Sequence, residues 1–144
     1  MRLVHRDRIE GNEDMDTWKR FEPVFLSLLR VMAGLLVLQH GTSKFLNVPI
    51  GPMNNMPIQS MFGAAGVFEL VCGLLLVIGL FTRPAAFLLS GMSAIGYFYI
   101  HAPRGFFPLL NGGGMVALFC FVFLFLSAAG GGPFSVDRLI RQKD

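Results

Sequence analysis

Residues 60–80 read SMFGAAGVFELVCGLLLVIGL, an apolar run whose single formal charge is Glu69. An α-helix crosses the hydrocarbon core of a bilayer with about 20 mainly apolar residues, so this stretch is a span with a carboxylate inside it. Working outward, Thr82-Arg83-Pro84 punctuates the chain, since Thr82 can cap and Pro84 can open the next helix. A second apolar run then covers residues 84–101, and the short connection makes the two an antiparallel hairpin. Upstream lies a span over 23–45, with Pro23 as its first helical residue. Downstream lies one over 112–129, which starts in Asn111-Gly112-Gly113-Gly114 and stops before Gly130-Gly131-Gly132-Pro133, a sequence no helix continues through. The predicted fold is all-α: an integral membrane four-helix bundle over residues 23–132, with short interfacial segments at 1–22 and 133–144. Trp18 with Lys19, Arg20 and Phe21 forms an aromatic and cationic anchor before the first span. At the other end Ser135 can cap a short last helix that carries Asp137 in its first turn.

Charge placement agrees. The 144 residues hold 12 Lys+Arg and 9 Asp+Glu, for a net charge of +3 and a mean hydropathy of +0.59. Eleven charges fall in residues 1–22 and five in 137–144, leaving only Arg30, Lys44, Glu69, Arg83 and Arg104 between them. Soluble domains carry about 25% charged residues, so this pattern excludes a cytosolic globular protein and a disordered one. Without a contiguous basic patch it also excludes a nucleic-acid partner. Residues 1–22 mix acids with bases and lack an apolar centre, so they do not read as a secretory signal, and the first span is expected to act as its own insertion signal. Four spans put both termini on one side. Placed in the cytoplasm, that side gathers Arg2, Arg6, Arg8, Lys19, Arg20, Arg83, Arg138, Arg141 and Lys143, against Lys44 and Arg104 outside. The positive-inside rule therefore predicts cytoplasmic termini.

Ionised side chains are costly inside a bilayer, by about 2.5–3.5 kcal/mol on insertion scales, so Arg30 and Glu69 need partners or a purpose. At 1.5 Å per residue, Arg30 lies roughly 10 Å, Glu69 roughly 18 Å and His40 roughly 25 Å above the inner boundary, so either neighbour can reach Glu69. Arg30, Gly34, Val37, Gly41 and Lys44 share one stripe of the first span, as do Phe62, Ala65, Gly66, Glu69, Gly73 and Leu76 on the second. Small residues let membrane helices approach closely, so these stripes are expected to pack and bury Arg30 with Glu69. Two readings follow: structural glue with Arg30 reaching for the inner surface, or a ligand or proton role for Glu69. On the third span Ala86, Ser90, Ala94, Tyr97 and His101 form a stripe that is polar and aromatic towards its outer end. His40, Lys44, Glu69, Tyr97, His101 and Asn111 can thus converge on a polar pocket, which suits a quinone-like ligand whose carbonyls want donors and whose tail wants lipid.

Other residues carry less. Cys72 and Cys120 fall at similar depth and would form a redox pair only if spans two and four touch; buried cysteines are usually inert. Met53, Met56 and Met61 lack the ordered spacing or histidine of a copper(I) site, and no metal site is predicted. Phe119, Phe121, Phe123 and Phe125 read as lipid-facing bulk. The chain holds neither a nucleotide loop nor a Ser/His/Asp nucleophile arrangement.

Taken in order, several blocks resemble the DoxX family of small four-span bacterial membrane proteins: Arg30, then His40-Gly41-Thr42-Ser43-Lys44-Phe45; Glu69 with Gly73; Gly79-Leu80-Phe81-Thr82-Arg83; Met92 and Ala94; Asn111-Gly112-Gly113; and Gly130 to Asp137. Many members carry Glu after Asn-Gly-Gly, where this chain has Gly114, so a mechanism needing two carboxylates does not carry over. The resemblance implies a multi-pass protein of the bacterial inner membrane. It also implies an accessory subunit or small quinone-interacting component of a membrane oxidoreductase system. In that reading Glu69 is the residue best placed for chemistry, with Arg30, His40, Lys44, Tyr97, His101 and Asn111 as binding residues. Expected partners are the lipid bilayer, a partner subunit or second copy, and a lipophilic small molecule such as a quinone. The rival expectation is a non-catalytic scaffold that recruits a soluble enzyme; a small-solute transporter ranks last, since repeats and broken helices are lacking.

Overall fold

The computed structural model describes residues 2–142, with side chains described from Trp18 to Gln142. Arg2, Arg6, Arg8 and Lys143, counted above among the cytoplasmic cations, therefore lie outside the described side chains. The elements are α1 (Arg2–Leu46), α2 (Met61–Ile78), α3 (Thr82–Gly96), α4 (Pro108–Asn111), α5 (Gly114–Ala129) and α6 (Val136–Arg141). Beyond Gly96 the chain continues α3 through a π turn (Tyr97–His101) and a 3₁₀ turn (Ala102–Arg104). The described residues include no strand. Trp18–Leu46, Met61–Ile78 and Thr82–Arg104 are long and apolar enough to cross a membrane, and α5 is a shorter apolar helix.

The first helix does not begin at Pro23 but runs through it. The straight-chain residues before it favour helix, and a proline's missing N–H removes one hydrogen bond without ending the run. Elsewhere local chemistry sets the boundaries. Ser60 accepts the Gly63 N–H and caps α2, which ends at Gly79 in the left-handed conformation (φ 72°), where a side chain would be strained.

Thr82 is not the cap of α3. Phe81 holds that position, also left-handed (φ 49°), and its N–H and that of Thr82 donate to the two Asp137 carboxylate oxygens at 2.8 and 2.9 Å. An acid from the first turn of α6 thus caps α3 across the fold. Burial pushes the Asp137 carboxyl up, but hydrogen bonds from Thr82 and Phe81 and the charge of Arg141 outweigh it and hold the carboxyl below its ordinary value. A group lowered in this way contributes stability that is complete above the unfolded value of about 3.9 and is lost as pH falls through the folded value. Unfolding measured at pH 7 and at pH 3 should show this loss. Asp137→Asn should flatten the difference and cost about 1–2 kcal/mol at pH 7; an unchanged pH response would contradict the cap.

The stripes predicted on the first two spans do pack. A Cβ at Gly41 would sit 2.7 and 2.8 Å from Leu70 Cγ and N, and one at Gly73 would sit 2.9 Å from the Leu38 N. Glycine at these points lets the backbones of α1 and α2 touch. The other extensive pair is α3 with α5; α2 adjoins α3, and a narrow α1–α5 contact closes the bundle. The core is small: Ala33, Val37, Cys72, Leu76, Ala85, Ala86, Leu89, Phe123 and Leu126. Phe123 is buried, with Phe119 stacked on it at 5.3 Å, so only Phe121 and Phe125 of the predicted outward phenylalanines face away. Large apolar side chains such as Leu28, Met32, Phe87 and Phe98 cover the outside, while Arg30, Lys44 and Glu69 are inside. That inversion suits a lipid solvent.

Candidate functional site

Two polar centres form within this bundle, and neither is the predicted Arg30–Glu69 pair. Arg30 is fully buried at 0% exposure. Its Nε donates to Gly131 O at 2.9 Å and its Nη2 to Phe134 O at 2.6 Å, while Nη1 donates to Val77 O at 2.9 Å and also to Leu76 O. Leu76 and Val77 lie in the last turn of α2, where the helix runs out of backbone donors and Leu76 O accepts the Gly79 N–H at 3.2 Å. The guanidinium therefore ties the end of α2 to the segment that folds back from α5.

Glu69 is instead held by Lys44, whose Nζ donates to both carboxylate oxygens at 2.9 and 2.8 Å. Lys44 and Glu69 are 5% and 9% exposed, so Lys44, counted above among the cations outside, is enclosed within the bundle. The loop explains this: Asn54 Nδ2 donates to Ser43 O at 2.6 Å and Met56 N to Lys44 O at 3.2 Å, folding residues 47–60 back over the end of α1. Lys44 is thereby enclosed one turn beyond Gly41, at the level of Gly66 and Glu69.

A cavity of about 290 Å³ opens beside the ion pair, between α1, α2, the end of α3 and α5. Its polar lining is His40, Lys44, Glu69, Ser93 and His101; the remainder is apolar, with Met53 reaching in from the loop. Four of the seven predicted site residues converge as expected. Ser93 was missed, although Ser90, Ser93 and Tyr97 follow a polar helical stripe that could have identified it. Arg30 is absent from the lining, as are Tyr97 and Asn111, which instead brace His101. Asn111 is buried, donates to Gly105 O at 2.8 Å and to Tyr97 Oη at 3.4 Å, and accepts the His101 Nδ1–H through its backbone oxygen at 3.1 Å. Tyr97 stacks on the His101 ring.

The hydrogen bonds fix what the cavity offers. His40 Nδ1 donates to Leu36 O at 2.7 Å, so in their neutral forms both histidines carry the proton on Nδ1 and leave Nε2 as an acceptor. Lys44 supplies N–H donors and Glu69 carboxylate acceptors. A ligand presenting carbonyl or hydroxyl oxygens finds a match for either. Cys72 lies in the core, Cys120 beside Ser90, and both thiols are free; α2 and α5 stand diagonally, so the conceivable redox pair does not form.

The DoxX family model matches residues 25–102. An uncharacterized protein of Haemophilus influenzae is 39% identical over 134 residues, covering 90% of this chain and all of that relative. A second uncharacterized protein of the same organism is 30% identical over 91 residues, covering 63% of this chain and 60% of that protein. No solved structure matches.

Proposed function

This chain belongs to the DoxX family, and from that premise we propose that it is a membrane protein that binds a quinone-type molecule in the Lys44–Glu69 cavity, as an accessory component of a membrane oxidoreductase system. The observation that carries this reading is the buried ion pair facing a mostly apolar cavity together with His40, Ser93 and His101. A purely structural pair would be packed on all sides, whereas this one has room beside it for a ring with two oxygens. Lys44 suits a carbonyl oxygen, and Glu69 and the histidine Nε2 atoms suit a hydroxyl, so both the oxidised and reduced forms of such a ring find partners. When bound, the quinone supplies the electron chemistry; the chain's own residues orient it and exchange its protons. Solvent extraction and mass spectrometry of protein purified in mild detergent should find quinone in the wild type and its loss in Glu69→Gln. Quinone absent from both would move the assignment to a scaffold that recruits a soluble enzyme.

The reading places both termini in the cytoplasm of a bacterial cell. Its support is that Lys19 and Arg20 stand at the start of the first span, at the end of the bundle where Arg83, Arg138 and Arg141 gather, and that burial of Lys44 leaves Arg104 as the cation of the opposite end among the described residues. In whole cells an impermeant maleimide should label Arg104→Cys and spare Arg138→Cys; the reverse would invert the topology.

A further inference from the structure

A second opening meets the cavity. Between α2 and α3 runs a groove of about 400 Å³ with an almost wholly apolar lining, and Phe62, Ala65, Met92, Gly96 and Ile100 line both it and the Lys44–Glu69 cavity. Its outer walls, among them Phe68, Phe87, Ile95 and Tyr99, are exposed on the lipid-facing side. Glycine keeps it open: a Cβ at Gly91 would meet nothing within 4 Å, and one at Gly96 only Val116 Cγ1 at 3.9 Å. These glycines do not serve helix packing as Gly41 and Gly73 do. Beyond Gly96 the helix widens into the π turn that carries both Ile100, on the groove, and His101, on the cavity. π turns recur where a helix is shaped around a site.

We propose that this groove is the lateral doorway and seat for the hydrocarbon tail of the ligand whose oxygen-bearing head lies against Lys44 and Glu69. The inference rests on the function proposed above and adds the ligand's architecture: a compact polar ring on one long apolar chain, entering sideways from the bilayer between α2 and α3. A tail gains no hydrophobic energy by leaving lipid for an apolar groove. The groove therefore governs access, and filling it blocks a tailed ligand while sparing a tail-less one.

Gly91→Phe tests this, because its side chain would project into open space within the groove. The probes are a dimethoxy-methyl-benzoquinone without a tail and the same ring bearing a decyl chain, measured by equilibrium binding to the purified full chain. Wild type is expected to bind both. Gly91→Phe should bind the tail-less ring as wild type does and the decyl ring about tenfold or more weakly, as a steric clash in a packed space would give. Equal binding of the decyl ring to both proteins overturns the doorway. Failure of wild type to bind either ring overturns the head site instead. A changed oligomeric state of the variant with undiminished binding overturns it too, and assigns the groove to a second copy of the chain. If Gly91→Phe is not recovered folded, Gly91→Leu carries the same comparison with a smaller plug.

Discussion

Arg30→Met is expected to lower the stability of the bundle by about 3–5 kcal/mol. The guanidinium is fully buried and donates to four backbone carbonyls, those of Leu76, Val77, Gly131 and Phe134. Methionine fills the volume but takes the donors from the Val77, Gly131 and Phe134 oxygens in a place that water does not replace, and leaves Leu76 O with the Gly79 N–H alone. The loss is also cooperative. The Gly131–Phe134 segment positions Ser135, which caps α6, and α6 carries the Asp137 that caps α3. Arg30→Lys is expected to recover about half, because an ammonium cannot span the same fork of acceptors. Unfolding by sodium dodecyl sulfate in mixed micelles measures both; a loss below about 1 kcal/mol for Arg30→Met would show that the carbonyls are satisfied some other way.

Breaking the Lys44–Glu69 pair one residue at a time is expected to have a comparable effect, and removing both residues a much smaller one. Glu69→Ala leaves a buried ammonium without its counter-ion and should cost about 3–5 kcal/mol, whereas Lys44→Met with Glu69→Leu should be neutral or stabilising by about 1–4 kcal/mol. The same protein then separates the two roles of the pair. If it folds and no longer carries quinone, the ion pair serves the ligand. Quinone content equal to wild type in that double variant would show that the pair serves assembly alone and that the ligand is held elsewhere. The double variant also guards the Glu69→Gln experiment, since a loss of quinone in a folded protein is not a loss of fold.

Much of this architecture was legible in the sequence. Hydropathy and the Gly/Pro punctuation at Gly79, Asn111 to Gly114 and Gly130 to Pro133 located the apolar helices, because those residues act locally. The small-residue stripes identified which faces of α1 and α2 meet, since only glycine permits the approach seen at Gly41 and Gly73. The register between the stripes was not legible. Depths counted from separate span starts brought Arg30 near Glu69, yet Gly34 lies against Leu76 and Val77 and Gly41 against Leu70. Arg30 therefore faces the end of α2, and Lys44 is the cation at the level of Glu69. The fold-back of residues 47–60 over the end of α1 accompanies that register, and no periodicity encodes it. The carbonyl partners of Arg30 and the cap donated by Asp137 are long-range for the same reason: each joins segments at least 46 residues apart. His40, Lys44, Glu69 and His101 were found because charge and imidazole in an apolar run are conspicuous. Tyr97 was assigned to the pocket from its helical stripe, and Asn111 with it, but both pack against His101 outside the lining.

The central claim is that the buried carboxylate of Glu69 belongs to Lys44. Solid-state NMR on the protein in lipid bilayers, with ¹⁵N in the lysine and arginine side chains and ¹³C at the glutamate carboxyl, measures it directly. The structure predicts a strong dipolar coupling between Lys44 Nζ and Glu69 Cδ and none from the Arg30 guanidinium. Coupling of Glu69 to Arg30, with Lys44 uncoupled, would contradict the register and the site built on it.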